Sequence, residues 1–181
     1  MSDLIEALKE EHASMRTLLD LIEREVERDG GPDYGLLHEI MVYCRTYPDQ
    51  FHHPKEDLIY QAICRHDPRA TPAIDDLEAE HEELAIASGE FAQLVEQAAA
   101  SGTPPRSFRE VALAFVAQYR QHIAKEDAEF FPSAQKILSP EEWREIGAQV
   151  QDPGDPLFYQ TAADRLQALL ARELDRPTRS A

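Results

Sequence analysis

The stretch FHHPKED at positions 51–57 places a histidine and a glutamate four residues apart, as His52 and Glu56. A second stretch, HIAKED, repeats this spacing with His122 and Glu126. Side chains four residues apart in a helix lie one turn apart on the same face. If both stretches are helical, each can present an imidazole nitrogen and a carboxylate to one point.

Apolar residues recur at helical spacing along four long segments, and this pattern predicts an all-α protein. Turns containing Gly, Pro and Asp separate the segments, which is typical of an antiparallel up-down-up-down four-helix bundle. Pro48 and Pro54 lie inside the second segment, so we expect that helix to bend or to divide into two collinear pieces. The four predicted helices cover residues 3–28, 33–66, 71–99 and 106–138.

We expect the bundle, residues 1–138, to be followed by a helical extension, residues 139–181, that packs on its outside. Ser139 and Glu142 have the spacing of a capping box, which predicts a short helix that starts there. A second helix of the extension is expected to begin near Asp155.

Four of the seven histidines fall one on each predicted helix and at one level of the bundle. Each lies about 16 to 19 residues from the end at which its helix meets its hairpin partner, so at roughly 1.5 Å per residue they share a slab about 5 Å thick. Neighbouring apolar residues at helical spacing place all four on inward faces. These histidines are His12, His52, His81 and His122.

The inward histidines and the two glutamates indicate a metal site. Burying Glu56 and Glu126 without a compensating charge would cost several kcal/mol each, and a polyvalent cation supplies that charge. Four imidazoles and two carboxylates exceed the needs of one tetrahedral zinc ion, and they suit iron, manganese or zinc better than calcium or magnesium. Two bridging glutamates and four terminal histidines would make a dinuclear site in which each ion keeps a position open for a small ligand.

His53 is a candidate for an additional ligand. It adjoins His52 but projects about 100° away from it around an α-helix. We therefore expect an exposed position, or one that supports the ligands from outside, unless the bend at Pro54 turns the ring inward.

Three other residues are candidates for supporting roles around the ligands. Glu80 can orient an imidazole by accepting a hydrogen bond from its N–H group. Asp127 stands five residues after His122, whereas Glu126, four residues after it, lies more nearly on the same helix face. Tyr119 can gate the site or donate a hydrogen bond to a bound ligand, although core packing is its default role.

The order, spacing and residue types of these pieces resemble the hemerythrin-like, HHE cation-binding family, and its bacterial-type branch more than its invertebrate oxygen carriers. The resemblance covers about residues 3–138 and implies two non-haem iron ions with an oxo or hydroxo bridge. The matching pieces are His12, FHHPKED at 51–57, EHE at 80–82 and HIAKED at 122–127.

The resemblance also implies a role for each ligand. Glu56 and Glu126 would bridge the two irons. The histidines of the first and second helices, His12 and His52, would serve one iron. Those of the third and fourth helices would serve the other.

The chain departs from the invertebrate oxygen carriers at Leu77, because those proteins have a histidine four residues before the one that corresponds to His81. One iron would then lack a terminal ligand and have room for more exogenous ones. Simple reversible oxygen storage is therefore not the expected function. We expect binding of, or reaction with, dioxygen, nitric oxide or peroxide, in oxidative or nitrosative stress or in iron handling, and both a catalyst and a ligand-binding protein fit the pattern.

The composition excludes other classes of function. The 181 residues carry a formal net charge of -17, without the clustered cations that nucleic acids and anionic membranes require. The sequence shows no transmembrane run and no signal peptide, so a cytoplasmic location is expected. A non-redox metal-binding or iron-sensing module is the alternative to a reactive di-iron protein.

Overall fold

The structure, a computed structural model, describes residues 3–66 and 77–150. These ranges contain no strand, which confirms the predicted all-α class. The predicted helix starts near residues 71 and 155 lie outside the described residues. The α-helices are α1 (Asp3–Val26), α2 (Tyr34–Cys44), α3 (His53–His66), α4 (Leu77–Ser101), α5 (Phe108–Lys125), α6 (Phe131–Ile137) and α7 (Pro140–Gln149), and two π-helical turns cover Pro48–His52 and Glu126–Phe130.

The long helices pack as neighbours in the way that a four-helix bundle requires. Helix α1 contacts α2 and α5, and α4 contacts α2, α3 and α5. The predicted second helix is divided into α2, a π-helical turn and α3, and α7 packs against α3. In the described ranges, none of the helices is both long enough and apolar enough to cross a lipid bilayer.

Each π-helical turn ends two residues before a proline. Pro54 and Pro132 lack the N–H group that an α-helix would pair with the carbonyl four residues earlier. The turn before each proline is wider, since the preceding amide donates to a carbonyl five residues back, at Pro48 and at Glu126. The apolar pattern predicts an unbroken fourth helix, and the structure differs there because of Pro132.

A layer of polar side chains divides the core into two apolar clusters. The larger cluster comes mainly from α1, α2, α4 and α5, and the smaller cluster comes mainly from the start of α1 and from α3, α6 and α7. On α1, His12 lies between Leu8 of the smaller cluster and Met15 of the larger one. The other long helices also pass from one cluster to the other at their polar residues.

The turn between α1 and α2 is held by one buried carboxylate. Glu25 is only 1% exposed. Its Oε2 accepts hydrogen bonds from the backbone N–H of Asp33 at 2.8 Å and from Arg28 at 2.9 Å. Gly30 and Gly31 have φ angles of 91° and 94°, a conformation that glycine adopts without steric cost, so the chain can reverse there.

The predicted capping box at the start of α7 is present. Ser139 Oγ accepts a hydrogen bond from the backbone N–H of Glu142, whose carboxylate accepts one in return from the backbone N–H of Ser139. Trp143 and Ile146 belong to the smaller apolar cluster. His66 at the end of α3 lies 3.0 Å from Glu142, so α7 is tied to α3 by both apolar and polar contacts.

We predict that Glu25→Ala lowers the free energy of unfolding by about 1–3 kcal/mol, because it removes the acceptor of a part-buried backbone N–H group. Glu27→Ala is the matched control, since its pair with Arg109 lies on the surface and exposed pairs contribute at most about 1 kcal/mol. Urea unfolding followed by circular dichroism measures both changes. Equal losses in the two variants would contradict the role of Glu25.

Candidate metal centre

The structure brings all six predicted ligands together in the polar layer. Their side chains are buried, and the Nε2 atoms of His12 and His52 lie only 3.0 Å apart. Helices α1, α4 and α5 each supply one histidine, and the remaining residues lie in or beside the π-helical turns. The six residues are His12, His52, Glu56, His81, His122 and Glu126.

Glu56 directs its two oxygens to different histidines. Its Oε1 lies 3.3 Å from Nε2 of His52 and 3.6 Å from Nε2 of His12. Its Oε2 lies 3.5 Å from Nε2 of His81. Glu56 therefore lies between His12 and His52 on one side and His81 on the other.

Glu126 divides its oxygens in the same way. Its Oε2 lies 3.2 Å from Nε2 of His12. Its Oε1 lies 3.0 Å from Nε2 of His122 and 3.6 Å from Nε2 of His81. Glu126 therefore lies between His12 on one side and His81 and His122 on the other, in a position that matches that of Glu56.

These contacts define two groups of candidate ligands, in each of which the ligand atoms lie within 4.8 Å of one another. Glu56 belongs to both groups. The α1-side group is His12, His52, Glu56 and Glu126, and the α4-side group is His53, Glu56, His81 and His122.

His53 lies inside the site, whereas the α-helical angle favoured an outer position. It is only 5% exposed, and its ring stacks on that of His81 with the centroids 4.0 Å apart. The angle of about 100° assumes a regular α-helix. His53 instead directly follows a π-helical turn, and its backbone N–H donates to the backbone carbonyl of Pro48. The wider turn accounts for the difference, and burial lowers the pKa of His53 to about 4.

A carboxylate faces the Nδ1 atom of every histidine in the two groups. Such partners fix the orientation of an imidazole and leave Nε2 to bind a metal ion. We call these five residues the outer carboxylates. The pairs are His12 with Asp127 (3.0 Å), His52 with Glu11 (2.6 Å), His53 with Asp49 (3.3 Å), His81 with Asp57 (3.3 Å) and His122 with Glu80 (3.0 Å).

Three of the outer carboxylates are themselves held by cations. Lys55 donates to Glu11 at 2.7 Å, and it is 2% exposed. Arg16 donates to Asp127, and Lys125 donates to Glu80. Sequence reasoning missed Glu11 and Lys55, although the lysine lies within the FHHPKED stretch next to a predicted ligand.

The supporting residues expected from the sequence take distinct places. Asp127 contacts His12 Nδ1 and Arg16, so it lies outside the ring of Nε2 atoms and carboxylate oxygens. Glu80 contacts His122 Nδ1. Tyr119 is 2% exposed with its ring 6.5 Å from that of His122, and its hydroxyl has no hydrogen-bond partner among the described residues.

The two buried glutamates control the charge of the site. Burial alone would lower the pKa of His12, but its hydrogen bond to Asp127 and its contacts with Glu126 and Glu56 raise it to about 11. The pKa of His81 is raised to about 11 in the same way, against burial, by Asp57 and the two glutamates. In turn the histidines lower the pKa of both glutamates, although burial opposes this.

The chemistry of the site fits metal ions. Among the described residues, neither oxygen of Glu56 or of Glu126 has a well-aligned hydrogen bond, nor does Nε2 of His53, His81 or His122. Buried polar atoms without partners are costly, and polyvalent cations bound at the two groups of ligands would satisfy them. Nitrogen and carboxylate donors in this mixture suit iron, manganese or zinc.

The fold and the site define a helical metal-binding module. The family model described as hemerythrin HHE cation-binding domain matches residues 3–134. The chain therefore belongs to the hemerythrin HHE family, as its motifs predicted. The comparisons with curated proteins and with solved structures gave no match.

We predict that anaerobic loading with Fe²⁺ raises the melting temperature, and raises it more at about pH 8 than at about pH 6. Without metal, the raised pKa values of about 11 keep His12 and His81 protonated, and a metal ion must displace those protons. Each displaced proton increases the apparent affinity by about tenfold per pH unit. Calorimetric melts with and without iron measure the gain.

The melting temperature of the metal-free protein should instead fall as the pH rises from about 6 to about 8. A raised histidine pKa contributes stability below the unfolded value of 6.5, and that stability is lost as the pH rises towards 11. The exposed variant His38→Ala is the control and should show the same trend as the parent. A gain in melting temperature that does not depend on pH would contradict the proton displacement.

Proposed function

We propose that the chain is a non-haem di-iron protein that binds or reacts with dioxygen, nitric oxide or peroxide. The observation that carries this proposal is the position of Glu56 and Glu126. Each directs one oxygen to the histidines of the α1-side group and the other oxygen to those of the α4-side group. A single metal ion would not need two carboxylates divided in this way. Two ions, held between them by Glu56 and Glu126, would account for the division.

Iron is the metal that best combines these donors with the proposed chemistry. Imidazole and carboxylate ligands also suit manganese and zinc, but zinc has no redox chemistry. The irons would supply electrons and coordination positions for the small ligand. The protein supplies the ligands, their orientation and the surroundings.

The surroundings favour a small, weakly polar ligand. The two apolar clusters enclose the polar layer from both ends of the bundle. Bulk water is thereby kept from most of the site, which strengthens the electrostatic contacts inside it. Tyr119 supports this use, since its hydroxyl is buried near the site and can donate a hydrogen bond to a bound ligand.

The outer carboxylates give the site a fixed geometry. Nδ1 of His12, His52 and His122 is hydrogen-bonded to a carboxylate, which leaves Nε2 of each imidazole to face inward. The pair of Lys55 and Glu11 is buried, so it holds His52 more firmly than a surface pair could. We place this activity in the cytoplasm, in the response to oxidative or nitrosative stress or in iron handling.

Metal analysis of the purified protein, combined with its visible spectrum under air, dithionite and nitric oxide, tests the proposal. We expect about two irons per chain, a spectrum that bleaches with dithionite, and a new band when nitric oxide meets the reduced protein. One tightly held zinc ion and no iron uptake would overturn it. Two irons whose spectrum responds to none of these reagents would favour the non-redox or iron-sensing module.

We predict that Glu56→Ala and Glu126→Ala each remove both irons, because each carboxylate contacts both groups of ligands. His81→Ala should mainly weaken one iron, because its imidazole would bind a single ion. Glu129→Ala is the matched control, since this exposed glutamate lies within a turn of Glu126 on the same chain segment. Iron-to-protein ratios after anaerobic loading and desalting measure the effect.

Retention of two irons with an unchanged spectrum in either bridging-glutamate variant would show that the carboxylate does not bridge. Loss of iron in Glu129→Ala would show that the effect of the other variants is not specific to the site.

A further inference from the structure

We propose that His53 is a seventh protein ligand of the di-iron centre and binds the ion held by His81 and His122. The inference rests on the proposed function. It assigns two consecutive histidines, His52 and His53, to different metal ions.

Position is the first support. A ligand atom of His53 lies within 4.8 Å of those of Glu56, His81 and His122. The ring stacks on His81 with an interplanar angle of 10° and meets His122 edge-on at 6.1 Å between centroids. His53 therefore faces the same volume as two imidazoles that already share a carboxylate.

The two ring nitrogens give the second support. Nδ1 lies 3.3 Å from Asp49, as the Nδ1 atoms of the other four histidines lie beside outer carboxylates. Nε2 is buried and has no hydrogen-bond partner among the described residues. A buried ring nitrogen without a partner is costly unless something binds it, and a metal ion on the α4 side would bind it.

The local backbone explains how neighbouring residues can serve opposite sides. His52 ends the π-helical turn Pro48–His52, and His53 begins α3. Widening of the turn changes the angle between the two side chains from that of a regular α-helix. His52 then meets the α1-side group and His53 the α4-side group, while Glu56 contacts both.

This assignment changes the expectation based on Leu77. That leucine lies in the smaller apolar cluster, 2% exposed, so α4 contributes a single imidazole, from His81. The second helix contributes the additional imidazole instead. The ion on the α4 side then has three imidazoles and the ion on the α1 side has two.

Two variants separate ligation from packing. His53→Ala removes the whole ring, whereas His53→Phe keeps a flat ring that can stack on His81 but has no nitrogen. If His53 binds metal, both variants should bind the second iron more weakly than the parent by at least about 100-fold, since loss of a supporting residue alone costs about 10- to 100-fold. The exposed variant His38→Ala is the matched control and should keep the parental affinity.

The affinities are measured by anaerobic titration with Fe²⁺, and proton NMR of the Co²⁺-loaded proteins counts the ligating imidazoles directly. His53→Ala should show one fewer shifted, solvent-exchangeable imidazole N–H resonance than the parent. Added imidazole should restore the binding of the second ion to His53→Ala, whose cavity admits the free base.

Parental affinity and an unchanged set of resonances in His53→Phe would overturn the assignment and leave His53 as a packing residue. In that case a parent with two irons would still support the proposed function. A parent that takes up fewer than two ions would overturn the proposed function and this inference with it.

Discussion

The carboxylates of Glu56 and Glu126 are buried together in the core of the helical bundle, and the arrangement of the surrounding residues depends on them. A charge buried without compensation is too costly to persist, so Glu56 and Glu126 require positive charge within contact distance. The imidazoles around them supply sites for protons or metal ions. The outer carboxylates then balance and orient the imidazoles, and Lys55, Arg16 and Lys125 balance three of those in turn. Charge therefore alternates outward from the centre of the bundle to its surface.

The two prolines that follow the π-helical turns give this alternation its geometry. Pro54 and Pro132 each prevent one helical hydrogen bond, and the turn before each is wider by one residue. One turn ends at His52 and the other begins at Glu126, so both lie directly beside candidate ligands. Side chains that a regular α-helix would turn away can then reach the same polar layer. The irregular backbone costs some helical hydrogen bonding, and the ligand contacts are what it makes possible.

Much of the fold and part of the site can be predicted from periodicity alone. The apolar stripes place His12, His81 and Glu126 on inward faces, since each helix must bury one face. The inward position of His53 could not be predicted in this way, because the angle between neighbours depends on a π-helical turn. Glu11 was missed for a different reason. An acidic residue on a helix reads as a solvated one until the tertiary fold brings the buried Lys55 beside it. Sequence patterns identify ligands that share a face, whereas their supporting partners come from other helices.

The division of the core also has a consequence for how the bundle unfolds. Its larger and smaller apolar clusters meet through the polar layer and not through continuous apolar packing. Such a boundary transmits little cooperativity when no ion is bound, and a great deal when two ions that share Glu56 join side chains from all four long helices. Ion binding would therefore set the size of the cooperative unit as well as its stability. With the site filled the bundle would melt as one body, and with the site empty the two ends could open separately.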